Sequence, residues 1–189
     1  MAVIIRPSQQ GDIEAFEAIY AHHVLNASAT FEITPPDAAE IARRRDDVLR
    51  RGLPFLVAEC DGVVLGFAYA APYRARPAYR FTLEDSIYIR HDATGRGAGR
   101  LLLEALIEAC THAGFRQIIA VIGDGSNTAS IGLHRACGFE HAGVLSAVGF
   151  KFGRWVDSVL MQRALGAGAA TAPAENEVAL PGGDPGRAG

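Results

Sequence analysis

The sequence predicts an α/β fold of the α+β kind, a mixed sheet with helices packed on its faces. Three observations carry this prediction. Strand-like and helix-like runs follow one another in the order β-α-α-β-β-β-α-β-α-β-β. Two of the strand-like runs flank Asp61-Gly62, a dipeptide strongly associated with tight hairpin turns. A glycine-rich turn, Gly95-Arg96-Gly97-Ala98-Gly99, separates a strand from an apolar helical run.

Taken in order, residues 3–6 read as the first strand. A helix follows from Asp12, because Ile13, Phe16, Ile19 and Tyr20 recur at helical spacing. The second helix starts after Thr34, with Pro35 and Pro36 near its first turn, and ends by Gly52. "PFLVAEC" and "VVLGFAYAA" are the hairpin strands. "RFTLEDSIYIR" alternates, with Phe81, Leu83, Ile87 and Ile89 on one face and Thr82, Glu84, Ser86 and Tyr88 on the other. The helix after the glycine turn runs to about Ala113, with Gly114 as its C-terminal cap. "RQIIAVIG" is a short buried strand and residues 127–137 form another helix. Two late strands, roughly 142–150 and 155–163, join across Lys151 to Arg154. No internal repeat is visible.

A chain of 189 residues holds one well-packed domain and would cramp two. Its last 26 residues, from Ala164, include nine Gly or Pro and almost no large apolar side chain. Such a segment buries too little to offset its ordering entropy, so the expected division is a domain over 1–165 and a disordered tail over 166–189. A net charge of −3 gives no electrostatic reason to expect nucleic acid as a partner. The apolar runs fall short of the ~18–20 residues that span a membrane, and the N-terminus lacks a signal-peptide layout. Cys60, Cys110 and Cys137 have neither the pairing of a disulfide framework nor the CxxC spacing of a zinc site. The expectation is a cytoplasmic protein without a metal. His22, His23, His91, His112 and His141 lack metal-like spacing and are expected at the surface.

The glycine turn is the first functional signal. A strand, a glycine loop and a helix N-terminus together present unpaired N–H groups and the positive end of a helix dipole, which suits phosphate. Arg96 and Arg100 add charge-assisted donors. It is not a P-loop, since Arg100 and Leu101 stand where Lys and Ser/Thr belong, and the dinucleotide fingerprint fails after Gly97. A turn using glycines for geometry alone is the plain alternative.

"TGRGAGRLLLEAL" resembles the acetyl-CoA loop of the GNAT N-acetyltransferase superfamily, Gln/Arg-x-x-Gly-x-Gly/Ala, with Thr94, Gly97 and Gly99 at the motif positions. Thr94 departs from the usual Gln or Arg, which weakens one side-chain contact and leaves the backbone amides of 95–100 in place. The resemblance implies a coenzyme A pyrophosphate on Gly95, Arg96, Gly97, Ala98, Gly99 and Arg100, with Ile87, Tyr88 and Ile89 offering main-chain bonds to the pantetheine arm. "NTASIGLHRACGF" resembles the second motif, through Asn127, Ser130, His134, Gly138 and Phe139. Asn127 and His134 lie seven residues apart, close to two helical turns, and so share a face. His134 replaces the superfamily's usual Tyr.

That replacement matches one branch. "ATFE", "PYRARPAYRFTLEDSIYI", "NTASIGLHRACGF" and "VGFKFGRWVD" together resemble the phosphinothricin / methionine sulfoximine N-acetyltransferase family, from about Ile4 to Arg163. The resemblance implies the GNAT fold, acetyl-CoA as cosubstrate, Glu84 and His134 as the catalytic pair, and a homodimer. An α-amine is mostly ammonium at neutral pH and needs a base before it attacks a thioester. Glu84 lies on its strand four residues before Tyr88, about 13 Å at ~3.3 Å per residue, where a thioester would arrive. His134 suits proton transfer near neutrality. Which of the two is base and which acid stays open.

On the substrate side the family implies Arg74 and Arg76 for a carboxylate or phosphinate, with Tyr73 and Phe31 as pocket walls and Glu32 near the amino end. Arginine's planar fork suits such anions, although a solvated basic loop is the plain alternative. Lys151 and Trp155 are expected in the late hairpin, at the pocket or dimer edge. The activity the resemblance implies is direct acetylation of the α-amine of phosphinothricin, methionine sulfoximine or a related amino acid. Alternatives are another amine or ordinary amino acid on the same fold, or a non-catalytic acetyl-CoA sensor. The presence of both Glu84 and His134 counts against the sensor.

Overall fold

In the computed structural model, which describes residues 2–173, the chain runs β1 (Ile4–Pro7), α1 (Ile13–Asn26), α2 (Ala38–Arg50), β2 (Phe55–Cys60), β3 (Val63–Pro72), β4 (Thr82–Ile89), α3 (Ala98–His112), β5 (Gln117–Gly123), α4 (Thr128–Ala136), β6 (Glu140–Lys151) and β7 (Arg154–Ala164). The strands make one sheet in the order β1-β2-β3-β4-β5-β7-β6. Hairpin and meander connections give antiparallel pairs, and the α3 crossover makes β4–β5 the parallel pair. The mixed sheet agrees with the sequence.

Both faces of the sheet are covered. Phe16 of α1 packs on Phe55 and Phe67, with ring centroids 5.2 and 4.7 Å away, and Tyr20 meets Tyr88 edge-on. The alternate residues Ala68, Ala70 and Leu83 are fully buried as well, and α3 contributes Leu102, Leu103 and Leu106 to the same core. Among the described residues no helix is long and apolar enough to cross a membrane.

The structure differs from the sequence reading most at α2 and in the late hairpin. Pro35 and Pro36 precede α2 instead of opening it, because Asp37 is the N-cap: its carboxylate accepts the Glu40 N–H at 2.9 Å. The late strands are longer than expected, with register irregularities at His141/Gly143 and Leu145/Gly149 absorbing the extra residues. At the C-terminal end, Leu165 is buried, and turns bond Gly168 N–H to Leu165 O and Ala170 N–H to Ala167 O. The rest of the expected tail, 174–189, lies outside the described residues.

Candidate active site

Strands β4 and β5 pair over four positions, from Thr82↔Gln117 to Asp85↔Ala120, yet β4 runs on to Ile89 and β5 to Gly123. Beyond Asp85 the two strands part. Arg90 donates to Leu65 O of β3, so the pleat turns the main-chain groups of Ile87 and Ile89 the other way, toward the gap. Tyr88 turns toward β3 by the same alternation, and its ring is buried. Its place beside Glu84 and Ser86 is as expected, but that face is covered by α1 rather than polar.

Two cavities occupy the gap. One, of about 240 Å³, is lined by Phe31, Glu84, Asp85, Ser86, Ile87, Tyr88 and His134 among others. The second, of about 640 Å³, is walled by Ile89, Thr94, Gly95, Gly97, Ala98, Gly99 and Arg100. Ala29, Ile87, Gly123, Asn127 and Ser130 line both, so the cavities adjoin.

The glycine turn is built for an anion. Gly97 is the N-cap of α3 with φ +84, and among the described residues no side chain caps the helix there. Arg100 and Leu101 N–H both fold back on Gly97 O, which leaves the N–H groups ahead of them at a positive helix end. The Thr94 hydroxyl donates to His91 O at 3.2 Å, so this side chain braces its own turn. Arg100 is paired with Glu104 at 2.7 Å. These features suit a pyrophosphate.

Opposite the turn, Asn127 caps α4 by accepting the Ser130 N–H at 3.2 Å. Two turns on, His134 is held at both ring nitrogens. Nδ1 donates to Ser130 O at 2.7 Å, with Ser130 Oγ at 3.4 Å, and Nε2 lies 3.0 Å from Asp85 Oδ2. His134 and Asp85 are both buried, and Asp85 Oδ1 has no hydrogen-bond partner among the described residues. Burial alone would depress the His134 pKa, but Asp85 and the Ser130 carbonyl outweigh it and the pKa is raised.

Glu84 is half-buried on the opposite pleat, and it reaches the same cavity as His134 because the sheet opens there. Burial pushes its carboxyl up from the ordinary range, Arg74 pulls it down and Asp85 adds to the rise.

The profile of the "Acetyltransferase (GNAT) family" matches residues 16–139. The chain belongs to the GNAT acetyltransferase family. It is 58% identical to the phosphinothricin N-acetyltransferase of Alcaligenes faecalis, over 91% of this chain and 87% of that protein. It is 42% identical to an L-methionine sulfoximine/L-methionine sulfone acetyltransferase of Pseudomonas aeruginosa, over 86% and 94%. Among solved structures, a GNAT phosphinothricin acetyltransferase from Sinorhizobium meliloti in complex with acetyl-CoA superposes with a TM-score of 0.90 at 48% identity, covering 94% of this chain and 96% of that one.

Within this GNAT site, several expected residues stand elsewhere. Glu32 does not line the cavities; it accepts from Tyr20 at 3.0 Å and Arg44 at 2.6 Å. Arg74 and Arg76 are exposed on the loop after β3, where the half-buried Tyr73 ring lies 4.2 Å from the Arg74 guanidinium. Only Arg74 is felt inside, through its effect on Glu84. Arg96 does not line the second cavity either.

His23 corrects the expectation of surface histidines. It is half-buried, its Nε2 donates to Ile89 O at 2.9 Å, and it walls the second cavity. Helix α1 docks against β4 through Tyr20 and brings His23 with it. His22 stacks on His91 beside it. Asp85 was not singled out from the sequence. Its signal was a charge in the register of Leu83 and Ile87, since a carboxylate on a buried face needs a partner.

Proposed function

We propose that this protein transfers the acetyl group of acetyl-CoA to the α-amine of phosphinothricin, methionine sulfoximine or a closely related amino acid. The observation that carries the reading is the adjoining pair of cavities. One side is a glycine cradle suited to pyrophosphate, and the other holds a half-buried carboxylate and a buried His–Asp pair. The substrate class rests on the names of the relatives, and Arg74, close enough to act on the Glu84 carboxyl, suits their carboxylate or phosphinate.

Acetyl-CoA supplies the activated acetyl thioester. The main-chain amides of the turn from Gly95 to Arg100 would hold its phosphates, and Ile87 and Ile89 would offer main-chain groups along the gap. Glu84 takes the proton from the ammonium; its raised pKa brings it closer to that task than an ordinary carboxylate. His134 already donates to Ser130 and faces Asp85, so we assign it the acid role. Its proton reaches the cavity over Ser130 Oγ, which lies beside Nδ1. Phe31 walls the amine site, whereas Glu32 supports the wall from behind through Tyr20 and Arg44.

A homodimer completes the reading. The β6–β7 hairpin leaves Phe150, Phe152, Trp155 and Val148 more than half exposed, an apolar set that a second copy would cover. Sedimentation should report twice the chain mass. We further place the enzyme in the cytoplasm and assign it no metal.

The test is thiol release from acetyl-CoA against phosphinothricin, methionine sulfoximine, methionine sulfone, ordinary amino acids and polyamines. The expected result is turnover confined to amines with an α-carboxylate. Turnover of polyamines alone would overturn the substrate class, and coenzyme binding without any turnover would favour a sensor.

A further inference from the structure

The loop that follows α1 separates the two cavities. Thr30 and Phe31 wall the smaller, Ala27 and Ser28 the larger, and Ala29 both. Three features from distant parts of the chain hold it there. Lys151, at the end of β6, is buried, and its Nζ donates to Ala27 O and Thr30 O at 2.7 Å each. Gly149 lies directly beneath the Phe31 ring, where an added Cβ would stand 2.6 to 2.9 Å from ring carbons. Gly123 faces Ser28, where a Cβ would come within 2.1 Å of the Ser28 carbonyl oxygen.

The chemistry of the lysine contact is specific. Ala27 is the C-cap of α1 in extended conformation, so its carbonyl has left the helical ladder and needs a donor. A buried ammonium on two carbonyls makes charge-assisted bonds to both. Burial lowers the Lys151 pKa, and Glu32 opposes that change. The stem of Lys151 crosses from the hairpin to the loop, so the hairpin tip is bonded directly to the segment that carries Phe31.

We propose that Lys151 is a positioning residue: acting with Gly149, it clamps the loop 27–31 over the gap between β4 and β5 and so sets the shape of the amine pocket. The kinetic part of this proposal rests on the acetyltransferase reading above, and the clamp itself does not. Lys151 touches neither cavity, so its influence passes entirely through Ala27, Thr30 and Phe31.

The experiment uses the full chain with two substitutions, Lys151→Met, which keeps the apolar stem, and Gly149→Ala, which displaces Phe31 with the lysine intact. Amide exchange over residues 27–33, without any ligand, is expected to quicken by about tenfold in both, while that of residues 82–89 stays unchanged. The KM for the amino acid should rise about tenfold, with kcat and the KM for acetyl-CoA changing by less than about threefold. Unaltered exchange and unaltered amine KM in either folded variant overturn the proposal. If Lys151→Met fails to fold, Lys151→Gln, which loses the charge and keeps the stem, is read by the same two measurements. Should no amino acid be turned over by the parent protein, the substrate reading falls, and the exchange data still decide the clamp.

Discussion

His134 Nε2 and Asp85 Oδ2 lie 3.0 Å apart with both side chains buried, which ties α4 to the centre of the sheet. Because the His134 pKa is raised, the pair stabilises the fold fully below the unfolded value of 6.5, and this contribution is lost as pH climbs through the higher folded value. Asp85→Asn should therefore cost about 3 kcal/mol at pH 6, in the range for breaking a buried pair. The cost should shrink by pH 9. Thermal melts of both proteins at the two pH values check this; an equal gap at both would contradict it.

Glu84→Gln should lower kcat by about 100- to 10,000-fold with acetyl-CoA binding intact, since only the proton acceptor is lost. A base must be ionised, so kcat/KM falls on the acid side, at a pKa above the ordinary 4.5. Arg74 holds that pKa down, and Arg74→Ala should move the acid limb to higher pH while raising the KM for the amino acid. A pH–rate series on the two variants separates these effects.

Ser130→Ala removes the hydroxyl and keeps both the N–H that Asn127 caps and the carbonyl that holds His134. If the proton leaves the ring over Oγ, kcat should drop about tenfold or more with the amine KM unchanged. Equal kcat in Ser130→Ala would remove the hydroxyl from the proton route.

Gly97→Ala meets open space, so its penalty comes from holding alanine at φ +84, about 1–2 kcal/mol. The cap relaxes and the cradle opens, so acetyl-CoA should bind more weakly by calorimetry while the amine KM holds. Gly99→Ala meets Leu133 and Ile89 only at ordinary contact distances of 3.4 Å and beyond, and should be milder.

The element order and the glycine turn were legible because both are local: periodicity, a hairpin dipeptide and a helix start are written within a few residues of one another. The Asn127–His134 face was legible for the same reason. What lay beyond reach was long-range. Asp85 could be seen as a charge on an apolar face, but only packing names α4 as its partner. His23 was placed at the surface because nothing near it reveals that α1 docks on β4. The Arg44 that captures Glu32 stands twelve residues further on, in α2, while Glu32 lies in the loop before that helix, a pairing that composition cannot foresee.

The four-pair seam between β4 and β5 makes the sheet two panels joined by a short stitch, β1 to β4 on one side and β5, β7 and β6 on the other. An elongated guest lying in the gap meets main-chain edges from both panels and lengthens that stitch. Occupancy should then be felt far from the gap, as slower amide exchange in Ile87–Ile89 and Val121–Gly123 together, and as a single sharper melt in which the panels come apart at one temperature.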